Sequence, residues 1–182
     1  MGYALAEAAR LRGASVTLVS GPTSLPAPGG VKLISIETAQ QSYDATMAEA
    51  AGADLIIAAA AVADYRPASF SEQKIKKSGT SPSLDLTETK DVIAAVAASR
   101  RPGQIIVGFS AESEKLMEHA AAKRIAKGLD WIVANDITAE GAGFDIDTNI
   151  VTLIGPKDQQ IALPLMTKRE VADRILDTVW PD

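Results

Sequence analysis

Two groups of charged residues in the middle of the chain could bind a phosphorylated ligand. Asp64 follows the apolar run 55–63, which is typical of a buried parallel strand. Small side chains at the carboxyl end of such a strand let a ligand approach the backbone. Lys74, Lys76 and Lys77 follow in a segment without helical or strand periodicity. The sequence therefore predicts a crevice for a metal-bound polyphosphate, with Asp64 at its lip as a candidate metal ligand.

Each of these residues also has a purely structural interpretation. A carboxylate after a strand is commonly a turn or cap residue, and lysines in a loop are commonly just solvated. Lys123 and Lys127 lie one helical turn apart, where they would complement the dipole at a helix C-terminus. Phe109 follows a glycine near a strand end and is more often a core residue than a base-stacking platform. Both interpretations stay open on the residues alone.

Composition limits the classes of function. A chain of 182 residues predicts one domain with a sizeable core. A net charge of −5 argues against a general nucleic-acid binder. Zero Cys excludes thiolate chemistry, and the single histidine, His119, argues against a histidine-based triad or zinc site. No run reaches the roughly 20 apolar residues of a membrane span, so we expect no membrane contact. The absence of Cys fits the cytoplasmic location that we expect.

Hydrophobic periodicity and turn residues predict alternating helices and strands. This order indicates a Rossmann-like three-layer α/β domain with a mostly parallel sheet and an antiparallel C-terminal tail. The polar stretch 69–87 is expected to be an active-site flap. A helix at residue 2 with no strand before it predicts that a first strand and loop are missing. The predicted helices are 2–12, 38–51, 90–99, one from about 111 to 127, and 168–179. The predicted strands are 14–20, 31–36, one that begins at 54, 104–110, 129–135, 150–154 and 160–163.

Two familiar ligand motifs are not matched. The sequence has no Gly-x-Gly-x-x-Gly fingerprint and no Walker loop, which weakens the case for a dinucleotide enzyme. Asp145, Asp147 and Asn149 imitate the start of a calcium loop. Ile150 and Pro156 stand where that loop needs Gly and Glu, so calcium is rejected.

Several short stretches become specific when taken together. They are 60–66 (Ala-Ala-Val-Ala-Asp-Tyr-Arg), 74–77 (Lys-Ile-Lys-Lys), 108–112 (Gly-Phe-Ser-Ala-Glu), 123–124 (Lys-Arg) and 134–136 (Ala-Asn-Asp). In this order and at these spacings, the chain closely resembles the CTP-dependent phosphopantothenoylcysteine synthetase domain, the C-terminal half of the bacterial bifunctional coenzyme A biosynthesis protein. The resemblance runs from Met1 to the final helix.

The resemblance implies a ligase reaction in two halves. The carboxylate of 4′-phosphopantothenate attacks the α-phosphate of CTP and releases pyrophosphate, giving an acyl-cytidylate. The amine of L-cysteine then forms the amide and releases CMP. Positioning and charge neutralisation are the protein's main tasks in such chemistry.

The resemblance also implies roles for individual residues. Asp64 matches the nucleotide-site aspartate near the ribose or the magnesium-bound triphosphate, and Lys74 matches the catalytic flap lysine. The flap would close over the intermediate and exclude water. Thr89 and Lys90 stand where the family has Asn and Pro. The implied CTP and substrate residues are Ala60, Ala61, Asp64, Lys74, Asp91, Phe109, Lys123 and Lys127, with Gly2, Lys76, Lys77, Thr89, Lys90, Val92 and Asn135 as secondary candidates.

The implied cofactor is Mg²⁺ carried with CTP, and the implied assembly is a homodimer. In the full-length protein a flavin-dependent decarboxylase domain would precede this one, so no FMN is expected here. The family's glycine loop lies ahead of Met1, and we expect the present chain alone to bind CTP poorly. Two other classes stay open: a non-catalytic nucleotide-binding Rossmann module, and an NAD(P) oxidoreductase of the same fold.

Overall fold

The computed structural model describes residues 1–76, 83–112, 115–136 and 146–180. It contains helices on both faces of a central sheet, as the order of elements predicted. The helices are α1 (Gly2–Leu11), α2 (Ala39–Ala50), α3 (Val92–Ala98), α4 (Leu116–Ala126) and α5 (Lys168–Val179). The strands are β1 (Thr17–Ser20), β2 (Lys32–Ser35), β3 (Leu55–Ala58), β4 (Tyr65–Pro67), β5 (Leu86–Glu88), β6 (Ile105–Glu112), β7 (Trp131–Asp136), β8 (Thr148–Ile154) and β9 (Gln160–Thr167), with a 3₁₀ turn at Pro156–Asp158.

The main sheet has the strand order β3-β6-β7-β8-β9. Its first three strands are parallel, and β8 and β9 add the predicted antiparallel tail. Strands β1 and β2 form a separate parallel pair, and β4 and β5 form an antiparallel ribbon. The prediction of an α/β domain with a mostly parallel sheet is therefore confirmed.

The hydrophobic core divides between the two faces of the sheet. Val107 and Val133 pack toward α1 and α5, whereas Ile106 and Ile132 pack with residues of α2, α3 and α4. All four side chains are at most 2% exposed. Alternation along buried strands produces this division, since successive side chains point to opposite faces. Burying each such side chain contributes about 1.5–3 kcal/mol to the stability of the fold. Packing on both faces of the sheet therefore holds the two layers of helices against it.

Helices α1 and α5 lie side by side and run in the same direction. Arg12 near the end of α1 pairs with Asp173 and also with Asp177, whose Oδ1 lies 2.7 Å from its Nη2. One turn earlier, Arg169 Nη1 lies 3.4 Å from Glu7 Oε2. This offset places the N-termini of both helices at the same end of the molecule.

Local signals explain where several elements begin. Thr38 and Thr167 form capping boxes with Gln41 and Glu170, which satisfy amide groups that would otherwise lack partners. Asp91 accepts a hydrogen bond from Ala94 N, so α3 begins at Val92 rather than at Lys90.

The structure differs from the predicted elements around Asp64. The prediction that Asp64 closes the central strand is wrong, because β3 ends at Ala58 and Asp64 lies just before β4. The branched residues Ile56 and Ile57 favour a strand, whereas alanines fit one poorly. The Asp64 carbonyl instead accepts from Thr89 N at 2.8 Å, alongside the β4–β5 ribbon.

Two further boundaries also differ from the predicted ones. Leu86 and Thr87 lie in β5 rather than in an irregular segment, and β6 runs to Glu112 where a helix was expected to begin. Of the predicted flap, residues 77–82 lie outside the described residues.

Gly155 supplies a sensitive test of the packing between the β8–β9 turn and the core. A Cβ at Gly155 would lie 2.3 Å from Cζ3 of the Trp131 ring, which is itself buried. We expect Gly155→Ala to lower the free energy of unfolding by about 1–3 kcal/mol, as overpacked sites do. At Gly21 an added Cβ meets nothing within 4 Å, so Gly21→Ala is the matched control. Urea unfolding measures the stability of both variants. Equal midpoints for the two variants would contradict close packing of Gly155 against Trp131.

The Asp91–Lys127 ion pair, at 2.9 Å, should make stability depend on pH. Burial alone would raise the pKa of Asp91, but hydrogen bonds from Lys127 and Ala94 outweigh it and hold the pKa below its usual value. The stabilisation is therefore present above the unfolded pKa near 4 and is lost as pH falls through the folded value. Because the Asp91 side chain is 45% exposed, solvent screens the pair to about 0.5 kcal/mol.

Asp91→Asn keeps a good helix cap while removing the ion pair. We expect this variant to be slightly less stable than the parent at pH 7 and to converge with it below about pH 4. The control is Asp85→Asn, which removes an exposed carboxylate that makes no ion pair among the described residues. Unfolding curves at pH 7, 4 and 3 measure the difference. If the free energy of unfolding of Asp91→Asn is below that of the parent by as much at pH 3 as at pH 7, the loss of the ion pair is not the cause.

Candidate functional site

The parallel strands β3, β6 and β7 end at one edge of the sheet, and a cavity of about 130 Å³ lies there. The register pairs Ala58 with Gly108 and Ala111 with Asn135, so the segment after β3 starts beside the last residues of β6, and β6 and β7 end together. Open α/β sheets bind their ligands at this edge. The lining residues are Met1, Ala59, Ala60, Ala61, Phe109, Ser110, Ala111, Asn135, Asn149 and Lys168. We call this the edge cavity.

The structure brings several predicted site residues together in the edge cavity. Ala60, Ala61, Phe109 and Asn135 come from three separate parts of the sequence and line the same space. Gly2 lies next to it, because a Cβ at this position would be 4.0 Å from Ala59 Cβ. Small residues after β3 leave room for a ligand, and half-buried Phe109 adds an apolar wall.

The polar groups of the edge cavity are donors and neutral acceptors. Ser110 and Asn149 are buried, and Lys123 Nζ lies 3.5 Å from Ser110 Oγ. The Oδ1 atom of Asn135 is buried without a hydrogen-bond partner among the described residues. A buried acceptor without a donor costs free energy, so its presence beside a cavity indicates that a ligand or water supplies the donor.

A cationic side chain also lines the edge cavity. Lys168 is the first residue of α5 and one of the lining residues. None of the described lining residues carries a carboxylate. The cavity is therefore suited to a ligand with a negative group and a hydrogen-bond donor.

A second cavity of about 130 Å³ lies against the β4–β5 ribbon. Thr89 and Lys90 line it with Gln40, Arg66 and Glu88. The Thr89 hydroxyl donates to the Ala63 carbonyl at 2.6 Å, and Lys90 Nζ lies 4.4 Å from the centre of the Tyr43 ring. Thr89 and Lys90 therefore lie in this second cavity rather than in the edge cavity, and each side chain also makes a contact within the protein.

The remaining predicted residues are not gathered in either cavity. Asp91 and Lys127 pair with each other where α3 begins, and Val92 is the first residue of that helix. Asp64 is exposed beside the ribbon, and Lys74 and Lys76 are exposed after β4 without a hydrogen bond or ion pair in the described part of the chain. Lys77 lies outside the described residues.

The described residues do not form a complete set of ligands for the predicted metal ion. Among the residues that the structure describes, no three His, Cys, Asp or Glu side chains are grouped so that they could hold an ion. Asp64 would be a single carboxylate ligand, so a magnesium ion would depend on oxygens of a bound phosphate chain.

Sequence reasoning missed Ser110, Asn149 and Lys168 as lining residues. Two local signals mark the last two as unusual for their elements, although neither signal locates them at the cavity. Asn149 is a polar residue that opens a strand of buried apolar residues. Lys168 places a positive charge in the first turn of a helix, where it opposes the dipole.

Comparison with known proteins identifies the family of the chain. The family described as the DNA/pantothenate metabolism flavoprotein C-terminal domain matches residues 1–181. The chain is 45% identical over 181 residues to the coenzyme A biosynthesis bifunctional protein CoaBC of Vibrio vulnificus, which covers 98% of this chain and 45% of the relative. It is 41% identical over 180 residues to the protein of that name from Bacillus subtilis, at 98% and 44% coverage. The chain thus spans less than half the length of these relatives.

Solved structures share the fold. The crystal structure of the C-terminal domain of CoaBC matches with a TM-score of 0.81 at 36% identity, over 98% of this chain and 79% of that chain. A mutant of Cab2 in complex with phosphopantothenate-cysteine matches with a TM-score of 0.63 over 82% of this chain and 52% of that chain, and its 18% identity shows the fold alone. The chain therefore belongs to the DNA/pantothenate metabolism flavoprotein C-terminal domain family, and its relatives are the C-terminal regions of CoaBC proteins.

Proposed function

We propose that this chain is a phosphopantothenate–cysteine ligase domain that uses CTP in coenzyme A biosynthesis. The observation that carries the proposal is the edge cavity, where Ala60, Ala61, Phe109 and Asn135 meet within a chain related to CoaBC over nearly its whole length. The Cab2 complex supports it, because a protein of the same fold holds the expected product, phosphopantothenate-cysteine.

In the first half-reaction, a carboxylate oxygen of 4′-phosphopantothenate would attack the α-phosphorus of CTP. The bond from that phosphorus to the β-phosphate oxygen breaks, and pyrophosphate leaves. In the second half-reaction, the cysteine nitrogen attacks the acyl carbon, loses a proton, and displaces CMP. The protein's share is to hold the reacting groups together and to balance developing charge.

The structure suggests how that work could be divided. The edge cavity provides fixed walls at the ends of rigid strands, with Lys123 beside Ser110 as a nearby cation. Lys74 lies in an exposed segment, and its side chain has no hydrogen bond or ion pair among the described residues. A lysine on such a segment can approach the phosphates when substrates bind. Magnesium would accompany the triphosphate, and we derive no step through it.

The wider assignments belong to the same proposal. We propose with it a homodimer, a cytoplasmic location and a flavin-dependent decarboxylase domain in the full-length protein. The last is supported by the bifunctional CoaBC relatives, of whose length this chain spans about 45%. The described helices include none that is long and apolar enough to cross a membrane.

The first test is pyrophosphate release with CTP, magnesium and 4′-phosphopantothenate, before and after L-cysteine. It is run on this chain and on the chain extended with the preceding segment of the Vibrio vulnificus relative. We expect release that requires phosphopantothenate, with CMP appearing only after cysteine, and faster turnover by the extended protein. No release by either protein, with CTP still bound in calorimetry, would favour the non-catalytic nucleotide-binding module instead.

The second test concerns Lys74. Lys74→Met should lower turnover about 100-fold, the usual effect of removing a charge that stabilises a transition state, with a much smaller change in CTP affinity. Lys76→Met applies the same charge change two residues away and should have a weaker effect. Steady-state kinetics in the more active of the two proteins measure both variants. Equal losses would mean that the segment acts only through its total charge.

A further inference from the structure

Strands β1 and β3 each have one edge that no other described strand covers. β1 pairs with β2 alone, and β3 pairs with β6 alone. The Val16 carbonyl accepts a hydrogen bond from Lys32 N of β2 at 2.9 Å. Because successive backbone groups point to opposite edges of a strand, those of Thr17 and Val19 point to the open edge of β1.

The same rule identifies the open backbone groups of β3. The Asp54 carbonyl accepts a hydrogen bond from Ile105 N, at the start of β6, at 2.9 Å. The backbone groups of Leu55 and Ile57 therefore point away from β6. A row of unpaired donors and acceptors of this kind is a template on which another strand can pair.

The first turn of α1 lies against the carboxyl ends of both strands. Tyr3 Oη lies 3.1 Å from Oγ of Ser20, the last residue of β1. A Cβ at Gly2 would lie 4.0 Å from Cβ of Ala59, which directly follows β3. The two strands thus run in the same direction, and no described strand lies between them. Because β2 and β6 occupy their other edges, the open edges face each other.

Helices cover the gap between these edges from both sides. On one face, Leu5 of α1 packs in a cluster with Leu55 and Ile57. On the other face, Ala50 of α2 packs in a cluster with Ile56. Both helices also contact β1. A segment that entered the gap would be buried on both faces, where successive apolar residues are favoured.

The residues at the open edges are typical of interior strands. β1 contains the apolar pair Leu18 and Val19 on opposite faces, and residues 55–58 of β3 are all apolar. The outer edge strands carry features that discourage pairing instead, because Lys32 begins β2 and Pro164 interrupts β9. The sequence therefore protects the outer edges and leaves the facing edges suited to pairing.

Burial agrees with an open edge at β3. Helices lie on both faces of this strand, yet residues 55–58 are only half-buried. In the neighbouring strand β6, Ile106 and Val107 are fully buried. The difference indicates that β3 lacks a neighbour on one side.

We propose that the gap between β1 and β3, which we call the strand groove, binds one extended polypeptide segment as a parallel strand. The occupant has about five residues, the usual length of a strand, and is apolar at successive positions. Its carboxyl end lies at the first turn of α1. The occupant that we assign is the segment directly ahead of the matched region in the longer relatives, of which the chain spans 45% in the Vibrio vulnificus protein. Binding needs neither CTP nor turnover, so it is independent of the proposed ligase function.

The test adds that segment of the Vibrio vulnificus relative as a separate peptide, long enough to include its first apolar run. A peptide of the same composition in scrambled order is the control. Amide hydrogen exchange of the ¹⁵N-labelled protein is measured residue by residue. With the peptide at ten times its dissociation constant, we expect exchange to slow about tenfold at Val19 and Ile57. The change at Ile56, whose amide already points to β6, should be much smaller.

The variant pair is Val19→Pro and Leu33→Pro. Each removes one backbone donor from a strand edge, but Val19 lies at the strand groove, whereas Leu33 lies at the outer edge of β2. Proline is tolerated at such positions, and a dispersed amide spectrum verifies folding. We expect Val19→Pro to weaken peptide binding about tenfold, because a hydrogen bond is lost. Leu33→Pro should bind the peptide as the parent does.

Three results would overturn the inference. They are no saturable binding of the peptide by the parent protein, equal binding of the scrambled peptide, and slowed exchange at only one of the two strands. Slow exchange at Val19 and Ile57 in the free protein that becomes slower as its concentration rises would place a second copy of the chain in the strand groove, and would also count against the assigned occupant. The pyrophosphate assay tests the ligase function alone, so its failure would leave the strand groove standing.

Discussion

The parallel register of β3, β6 and β7 is the constraint on which the candidate site depends. It places Ala58 beside Gly108 and Ala111 beside Asn135, so segments distant in sequence leave the sheet at one edge. At Gly108 an added Cβ would lie 2.6 Å from Leu129 Cδ1, so the buried Leu129 side chain would have to shift. The core on both faces holds this register in place, since a shift of one residue would turn each buried side chain to the wrong face.

Electrostatics follow from how the outer helices pack on that sheet. Arg12 and Arg169 tie α1 and α5 together in the same direction, and their N-termini meet above the strand ends. The ion pairs are partly exposed and individually weak. They hold the two helices in a fixed relative position. Both positive helix ends and Lys168 therefore lie beside the carboxamides of Asn135 and Asn149. A ligand with a negative group and a hydrogen-bond donor balances that arrangement.

The sequence was informative where local patterns and burial agree. The bounds of α2 and α5 and the positions of the buried strands were predicted closely, because both depend on short-range chemistry. The ribbon of β4 and β5 was missed because its residues are largely exposed and have no apolar alternation. Asp64 was misplaced for a related reason, since an unbroken run of alanines resembles a buried strand until pairing is known. The family resemblance was confirmed by the comparisons.

The candidate site was predictable only in part. Ala60, Ala61, Phe109 and Asn135 were named from the resemblance, and the fold brings them together. Lys168 could not be placed with them from sequence, because the antiparallel hairpin of β8 and β9 carries it back to the sheet edge. Such long-range contacts are set by tertiary packing, and no local pattern encodes them.

The most direct test of the account is a crystal structure of this protein with the product phosphopantothenate-cysteine bound. We expect the product in the edge cavity, in contact with Phe109 and with a hydrogen-bond donor directed at Asn135 Oδ1. Product bound instead in the cavity beside Arg66 and Lys90, with the edge cavity unchanged, would contradict the claim that the strand ends form the site.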